Sequence, residues 1–112
     1  MTLNSLINIL LVLIFANTLN ANNIENNSDC IILKDENSII CKYTHKRTNE
    51  EKNVQFNWID PMGIISRQRT MIIPAGHGSV YDFRYINGRA SGIWIFEVID
   101  NNISYKTKFK IE

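Results

Sequence analysis

The segment Gly92–Val98 (GIWIFEV) decides the fold that this sequence predicts. Side chains of a β-strand alternate between its two faces, so Trp94, Phe96 and Val98 share one face. The opposite face carries two isoleucines and one glutamate and is only half polar. A strand with so apolar a face has to bury it against a second sheet, so we expect a β-sandwich around this strand.

Strand-like segments recur at intervals of about ten residues, a spacing typical of sandwiches and barrels. Val54–Trp58 alternates apolar and polar residues, and Val80–Ile86 has an aromatic residue at every second central position. In the segment between them we expect Arg67 and Arg69 to point outward. Asp100–Asn102 has the composition of a hairpin turn. The pattern predicts an all-β antiparallel sandwich of about seven strands.

The N-terminal segment has the pattern of an export signal. Residues 1–21 contain no charged side chain, and Leu6–Ala16 is apolar except for Asn8. This run is shorter than the roughly 20 residues of a membrane span and matches the apolar region of a signal peptide. No Lys or Arg precedes it, and an uncleaved anchor is the alternative. We expect a signal peptide over residues 1–21, a flexible Asn-rich tail over 22–29 and the sandwich over 30–112, without membrane insertion after signal removal.

Composition limits the partners that this protein can bind. The chain has 112 residues with 12 Lys and Arg against 11 Asp and Glu, a net charge of +1. This balance argues against nucleic acid as the main partner. A domain this small has a modest core and needs additional stabilisation.

Cys30 and Cys41 are positioned to supply that stabilisation. Two apolar arms flank the polar turn Lys34–Asn37, a hairpin pattern that sets the two cysteines opposite each other. Cross-strand Cβ atoms lie at about the distance that a disulfide requires. The alternative is a pair of buried free thiols. Both cysteines lie in the part of the chain that the export signal would carry out of the cytoplasm, so we expect a periplasmic or secreted protein.

Three features resemble bacterial exported immunoglobulin-like modules. They are FxWxxPxG starting at Phe56, SGxWxFxV starting at Ser91, and the hairpin turn Asp100–Asn102 before the final strand. The resemblance covers about Val54–Glu112 and implies an immunoglobulin-like sandwich and an exported location. It implies no functional residues, because such modules serve many unrelated functions. Antibody-type domains join two sheets with a widely spaced disulfide, whereas this cysteine pair is expected to join one hairpin.

Catalytic and cofactor motifs are absent from the sequence. His45 falls in a charged segment that we expect to be a solvated loop, and His77 lies between two glycines. No nucleophile, base and orienting residue are recognisable as a set, and no nucleotide motif occurs. We therefore expect neither an enzyme nor a bound cofactor.

The loop Pro74–Ser79 is one candidate recognition site, because loops on a rigid sandwich often carry binding residues. His77 would make a contact there, or a metal contact together with Met62 or Met71. The alternative is a plain connection whose glycines adopt positive φ. The candidate residues of this loop are Pro74, Gly76, His77 and Gly78.

The outward face of the Gly92–Val98 strand is a second candidate site. Ile93, Ile95 and Ile99 form an apolar patch there unless a neighbouring loop or the tail covers them. Arg84 and Arg89 would add a rim of the residue type enriched at interface anchors, together with Tyr81 and Tyr85. The two tyrosines fit equally well in the core.

Asn102 is a candidate glycosylation site. Asp100-Asn101-Asn102-Ile103-Ser104 places an acid two residues before an Asn-x-Ser sequence and resembles the bacterial N-glycosylation acceptor. In a chain so rich in asparagine, a chance match is the alternative.

These observations predict a small exported module that binds or assembles with another protein and has no catalytic activity. Two alternatives remain open. One is a periplasmic protein that binds a metal or small ligand through His77. The other is an inhibitor that inserts the Pro74–Ser79 loop into the cleft of an extracellular enzyme.

Overall fold

The computed structural model describes residues 25–112 and confirms the predicted all-β sandwich. Seven strands form two antiparallel sheets, one ordered β1-β2-β5 and the other β4-β3-β6-β7. The strands are β1 (Asn27–Leu33), β2 (Ser38–Thr44), β3 (Lys52–Ile59), β4 (Ile65–Ile73), β5 (Ser79–Tyr85), β6 (Gly92–Asp100) and β7 (Ile103–Ile111).

The N-terminal predictions fall mainly outside the described residues. The expected signal peptide of residues 1–21 is not covered, and neither is the start of the expected tail. Strand β1 begins at Asn27, so the last residues of that tail, Asn27–Asp29, belong to the sandwich. Within residues 25–112, no helix is long and apolar enough to cross a membrane.

The core lies between the inner faces of the two sheets. The predicted inward residues of β6 are at most 2% exposed. The alternating apolar residues of β3 are equally buried, and these are Val54, Phe56 and Trp58. Phe96 packs edge-on against Phe56 at 4.9 Å and against Trp58 at 5.3 Å between ring centroids. Such edge-to-face contacts add stability beyond the buried area. The same core includes the buried side chains of β2, which are Ile39, Cys41 and Tyr43, and buried residues of β4 and β7, which are Ile73, Phe109 and Ile111.

The β1–β2 hairpin contains the predicted disulfide. Cys30 and Cys41 are direct cross-strand partners with Cα atoms 4.1 Å apart, and they are bonded to each other. A short 3₁₀ turn, Lys34–Glu36, joins the strands and ends at Asn37 with φ of 53°. Closing a loop of this length stabilises the fold by about 2–3 kcal/mol in the chain-entropy model.

The β6–β7 hairpin has the predicted tight turn. Asn101 and Asn102 have φ angles of 50° and 65°, and both strands pair up to the turn. Two consecutive positive φ angles match the right-handed twist of the flanking strands, and asparagine tolerates them well. The turn therefore fixes the register that places Lys106, Lys108 and Lys110 of β7 on the outer face.

Strand β4 differs from the prediction. Arg67 and Arg69 were expected to point outward, but they are paired with Trp58 and Phe56 of β3. Direct cross-strand partners share a face, so both arginines lie on the inner face. Because β4 is an edge strand, their long side chains extend past the core and reach Asp82 on the opposite sheet.

Candidate interaction surface

The outer face of the β1-β2-β5 sheet is rich in exposed apolar side chains. Ile31, Ile40 and Phe83 are consecutive cross-strand partners and form a row across all three strands. Tyr81 and Tyr85 lie on the same face of β5, one on each side of this row. We call these five residues the aromatic face. The exposed fractions are 51% for Ile31, 49% for Phe83, 64% for Tyr81 and 60% for Tyr85.

Strand β5 thus places its aromatic residues outside and its charged residues inside. Asp82 is 5% exposed and Arg84 is 9% exposed, although charged residues are almost never buried without partners. Sequence alternation showed that Tyr81, Phe83 and Tyr85 share a face, but it left open whether that face is core or surface. The placement of Asp82, which accepts a hydrogen bond from Trp58 Nε1 at 3.0 Å, decides it.

At the centre of β5, the backbone N–H and carbonyl of Phe83 form hydrogen bonds with side chains. The Phe83 N–H donates to Asp82 Oδ1 at 3.0 Å, and Arg67 Nη1 donates to the Phe83 carbonyl at 3.3 Å. An added strand would need such groups free, and edge strands are commonly protected by charged residues in this way. These contacts favour recognition through the face of the sheet over strand addition to β5.

The face formed by Ile93, Ile95 and Ile99 of β6, here called the isoleucine face, is less open than expected. Ile93 is 50% exposed, but the other two are half-buried among side chains of neighbouring strands. Glu97 interrupts the row and bonds to Asn57 and Ser104. Three lysines of β7 border the face: Lys106, Lys108 and Lys110.

An arginine-rich pocket opens beside the aromatic face, between β4 and β5. Its lining includes four arginines and one carboxylate, around a cavity of about 290 Å³. Asp82 contacts two of the arginines, Arg69 at 2.8 Å and Arg67 at 3.4 Å. We call this site the arginine pocket: Arg67, Arg69, Arg84 and Arg89 around Asp82.

Arg84 was expected on an exposed rim, and this expectation is wrong. Its guanidinium carbon lies 5.6 Å from the ring centroid of Trp58 and 5.9 Å from that of Trp94, with Nη1 donating to Ser66 Oγ. Cation–π contacts of this kind allow a cation to be held against aromatic rings in the interior. Arg89 is half-buried, and its Nε atom is buried with no hydrogen-bond partner in the described part of the chain.

The Pro74–Ser79 loop is tied to its neighbours through the backbone. The Gly76 N–H donates to the Thr48 carbonyl at 2.8 Å, and the Gly78 carbonyl accepts from His45 N–H at 3.0 Å. Gly76 has φ of +81°, whereas the space over Gly78 is occupied by the Arg47 side chain. Pro74 and His77 are exposed, so the loop presents a fixed rather than a freely moving surface.

The expected methionine partners of His77 are not available to it. Met62 precedes β4 and His77 follows it, and a nine-residue strand separates its ends by roughly 30 Å. Met71 is half-buried and packs against the core. Residues 25–112 contain no group of three or more His, Cys, Asp or Glu side chains able to hold a metal ion.

A buried polar cluster lies near the same end of the sandwich as that loop. Asp100 accepts hydrogen bonds from Tyr43 Oη at 2.7 Å and Lys52 Nζ at 2.8 Å. His45 stacks on Tyr43 with a centroid distance of 5.7 Å and is 2% exposed, so its expected placement in a solvated loop is wrong. Ser28 is also buried, and it is the cross-strand partner of Tyr43. No hydrogen bond in the described chain joins Ser28, His45 and Asp100.

The carboxylates of this domain predict a loss of stability in acid. Burial raises the pKa of Asp100, whereas hydrogen bonds from Lys52 and Tyr43 lower it. The lowering is the larger effect, so the pKa of Asp100 is below its usual value. Hydrogen bonds from Ser104 and Asn57 likewise lower the pKa of Glu97. The folded chain therefore binds protons less readily than the unfolded chain, whose carboxyl pKa values are about 4.

This stabilisation is present above about pH 4 and is lost as the pH falls through the lowered folded-state pKa values. We expect the urea midpoint to be lower at pH 3 than at pH 7 at constant ionic strength. The Glu97→Gln variant should show a smaller change between the two pH values. An identical midpoint at both pH values for the unmodified protein would contradict the assignment.

Asn102 is exposed at the tip of the β6–β7 turn, where an acceptor has to lie. The acid of its acceptor pattern, Asp100, is 3% exposed and bonded to Tyr43 and Lys52. Recognition of both residues by a modifying enzyme would require the hairpin end to open. Glycosylation at Asn102 stays a prediction that an intact mass of the native protein tests.

Comparisons with protein-family models, curated proteins and solved structures return no match to this chain. The fold defines a small all-β domain of two antiparallel sheets, with one disulfide across the β1–β2 hairpin.

Proposed function

We propose that this protein is a small exported, immunoglobulin-like module that binds or assembles with another protein and has no catalytic activity. Its contact surface in this proposal is the aromatic face. The observation that carries the proposal is the exposure of Ile31, Phe83, Tyr81 and Tyr85 on one continuous side of a three-stranded sheet. Extended apolar patches of this kind mark interaction sites on soluble domains.

The residue types of the aromatic face support a protein partner. Tyrosine is among the residues most enriched at binding hot spots, because its large rigid ring buries much area at little entropic cost. Phe83 and Tyr85 are perpendicular, with an interplanar angle of 87° at 5.9 Å. Perpendicular rings form an uneven surface with grooves that can accept side chains of a partner, rather than one flat surface for stacking.

Export is supported by two independent observations. The disulfide is consistent with an oxidising, extracytoplasmic location. The uncharged apolar segment of residues 1–21 has the composition of a signal peptide. Together they direct the search for a partner to the cell envelope or the secreted fraction.

The chain offers a matched pair of substitutions for the test. Ile31 on the aromatic face is 51% exposed, and Ile93 on the isoleucine face is 50% exposed. We expect Ile31→Lys to weaken capture of the partner from native envelope extract by about tenfold or more, as is usual at a hot spot. Ile93→Lys should leave capture unchanged. Circular dichroism and denaturation midpoints check that both variants fold.

Two outcomes would contradict the proposal. Loss of capture with Ile93→Lys alone would assign the contact to the isoleucine face. No captured protein with the folded, unmodified domain would remove the assembly function itself. A concordant loss with Phe83→Thr, which retains strand propensity, would confirm the aromatic face by a second variant.

A further inference from the structure

We propose that the arginine pocket is a binding site for a tetrahedral oxyanion, a phosphate or sulfate group. This site is independent of the proposed protein contact, because the binding of a small anion can be measured in the absence of a protein partner. Its lining has four guanidiniums against one carboxylate, so three positive charges have no counter-charge within the pocket. The whole chain has a net charge of only +1, so this concentration of positive charge is local.

The hydrogen-bond inventory of the pocket shows the same excess. Each guanidinium carries about five N–H donors and no acceptor. The protein acceptors that these arginines contact are few: the two Asp82 oxygens, the Phe83 carbonyl and Ser66 Oγ. Arg84 and Arg89 make no ion pair with a carboxylate within residues 25–112. The donors are therefore arranged around an opening with too few acceptors.

One arginine of this pocket is already held in place, and a second has an unpaired donor. Arg84 is 9% exposed between the two tryptophans, and the Arg89 Nε atom is buried without a partner. A buried donor without a partner costs free energy. Preformed donors also lose little conformational freedom when they bind.

The chemistry of the donors selects the ligand class. Planar guanidiniums bind phosphate and sulfate oxygens in pairs, and Arg is the preferred residue for this recognition. A single carboxylate offers two oxygens and one charge, which leaves most of the donors and charge unmatched. A doubly charged group with three or four oxygens matches them better, and a cavity of about 290 Å³ admits such a group on an ester.

The test is a titration of the purified, disulfide-intact protein with inorganic phosphate, followed by NMR at constant ionic strength. We expect saturable shifts of the backbone amides of Phe83, Asn87 and Arg89 and of the arginine side-chain N–H groups. Arg69→Gln combined with Arg89→Gln should weaken binding by about tenfold or more. Lys108→Gln removes the same type of charge from the outer face of the other sheet and should change nothing.

A second variant separates binding from a purely structural role. Asp82→Asn removes the one carboxylate that competes with the anion, so it should tighten phosphate binding severalfold. Sulfate is titrated separately, and the tighter of the two anions identifies the class of ester. Equal binding of acetate would overturn the tetrahedral assignment. Shifts that chloride reproduces, or that persist unchanged in the double arginine variant, would overturn the site.

Discussion

Replacing Trp58 with alanine is expected to lower the free energy of unfolding by about 3–5 kcal/mol, the usual range for a buried tryptophan. Trp58 is fully buried and lies where both sheets meet. Its ring packs edge-on against Phe96 at 5.3 Å and Phe109 at 5.9 Å, and the Arg84 guanidinium lies over it. A domain of this size is stable by only about 5–10 kcal/mol, so this variant should be largely unfolded under mild denaturing conditions.

Denaturant unfolding at pH 7 measures this effect, and two further variants make it specific. Trp58→Phe keeps most of the ring contacts and loses the hydrogen bond to Asp82, so we expect a loss of about 1–2 kcal/mol. Phe83→Ala removes an aromatic ring that is 49% exposed, and its cost should be under about 1 kcal/mol. A Trp58→Ala variant no less stable than Phe83→Ala would refute the central role of Trp58 in the core.

Replacing Asp82 with alanine should be the second most damaging change, with an expected loss of about 2–4 kcal/mol. This carboxylate is buried and accepts from the Trp58 indole, the Phe83 N–H and two arginines. Its removal leaves the indole N–H without a partner and concentrates positive charge between β4 and β5. The estimate is below that for a fully buried pair, because the Arg69 side chain is 50% exposed and solvent screens its charge.

The matched control is Asp35→Ala, since Asp35 lies exposed in the turn between β1 and β2. Its effect should stay within about 0.5 kcal/mol, as for most surface substitutions. Asp82→Asn retains an acceptor for the indole and should fall between the two. Equal stability of Asp82→Ala and Asp35→Ala in urea unfolding would show that the Asp82 contacts contribute nothing. A rise in stability of Asp82→Ala on adding phosphate, larger than for the unmodified protein, is the result that the arginine pocket predicts.

The two largest predicted effects share one location, and this has a consequence for function. Trp58, Asp82 and Arg84 connect the core to the arginine pocket and to the backbone of β5. The same strand carries Tyr81, Phe83 and Tyr85 on its outer side. The contacts that stabilise β5 from inside thus hold the aromatic face in one arrangement, which lowers the entropic cost of binding a partner.

The candidate sites were predictable to very different degrees. Ile93 and the exposed residues of the Pro74–Ser79 loop lie on the surface, as their sequence patterns indicated, whereas Ile95 and Ile99 are half-buried. The aromatic face and the arginine pocket were not predicted as separate sites, because the sequence pattern assigned their tyrosines and two of their arginines to one rim beside the isoleucine face. The one sequence signal that could have indicated them is the Asp-x-Arg alternation of Asp82 and Arg84, opposite two arginines of β4.

Sequence alone determined the strands, the inward faces of β3 and β6, the hairpin disulfide and the asparagine turn. These features depend on local periodicity and turn chemistry, which involve residues within about ten positions of one another in the sequence. Only the tertiary structure decided which way β4 and β5 face and that His45 is buried. Alternation states which side chains share a face, but the burial of a charged face requires partners from another strand. For Asp82, those partners are the Trp58 indole, Arg67 and Arg69, all distant in sequence and adjacent only after the sheets pack.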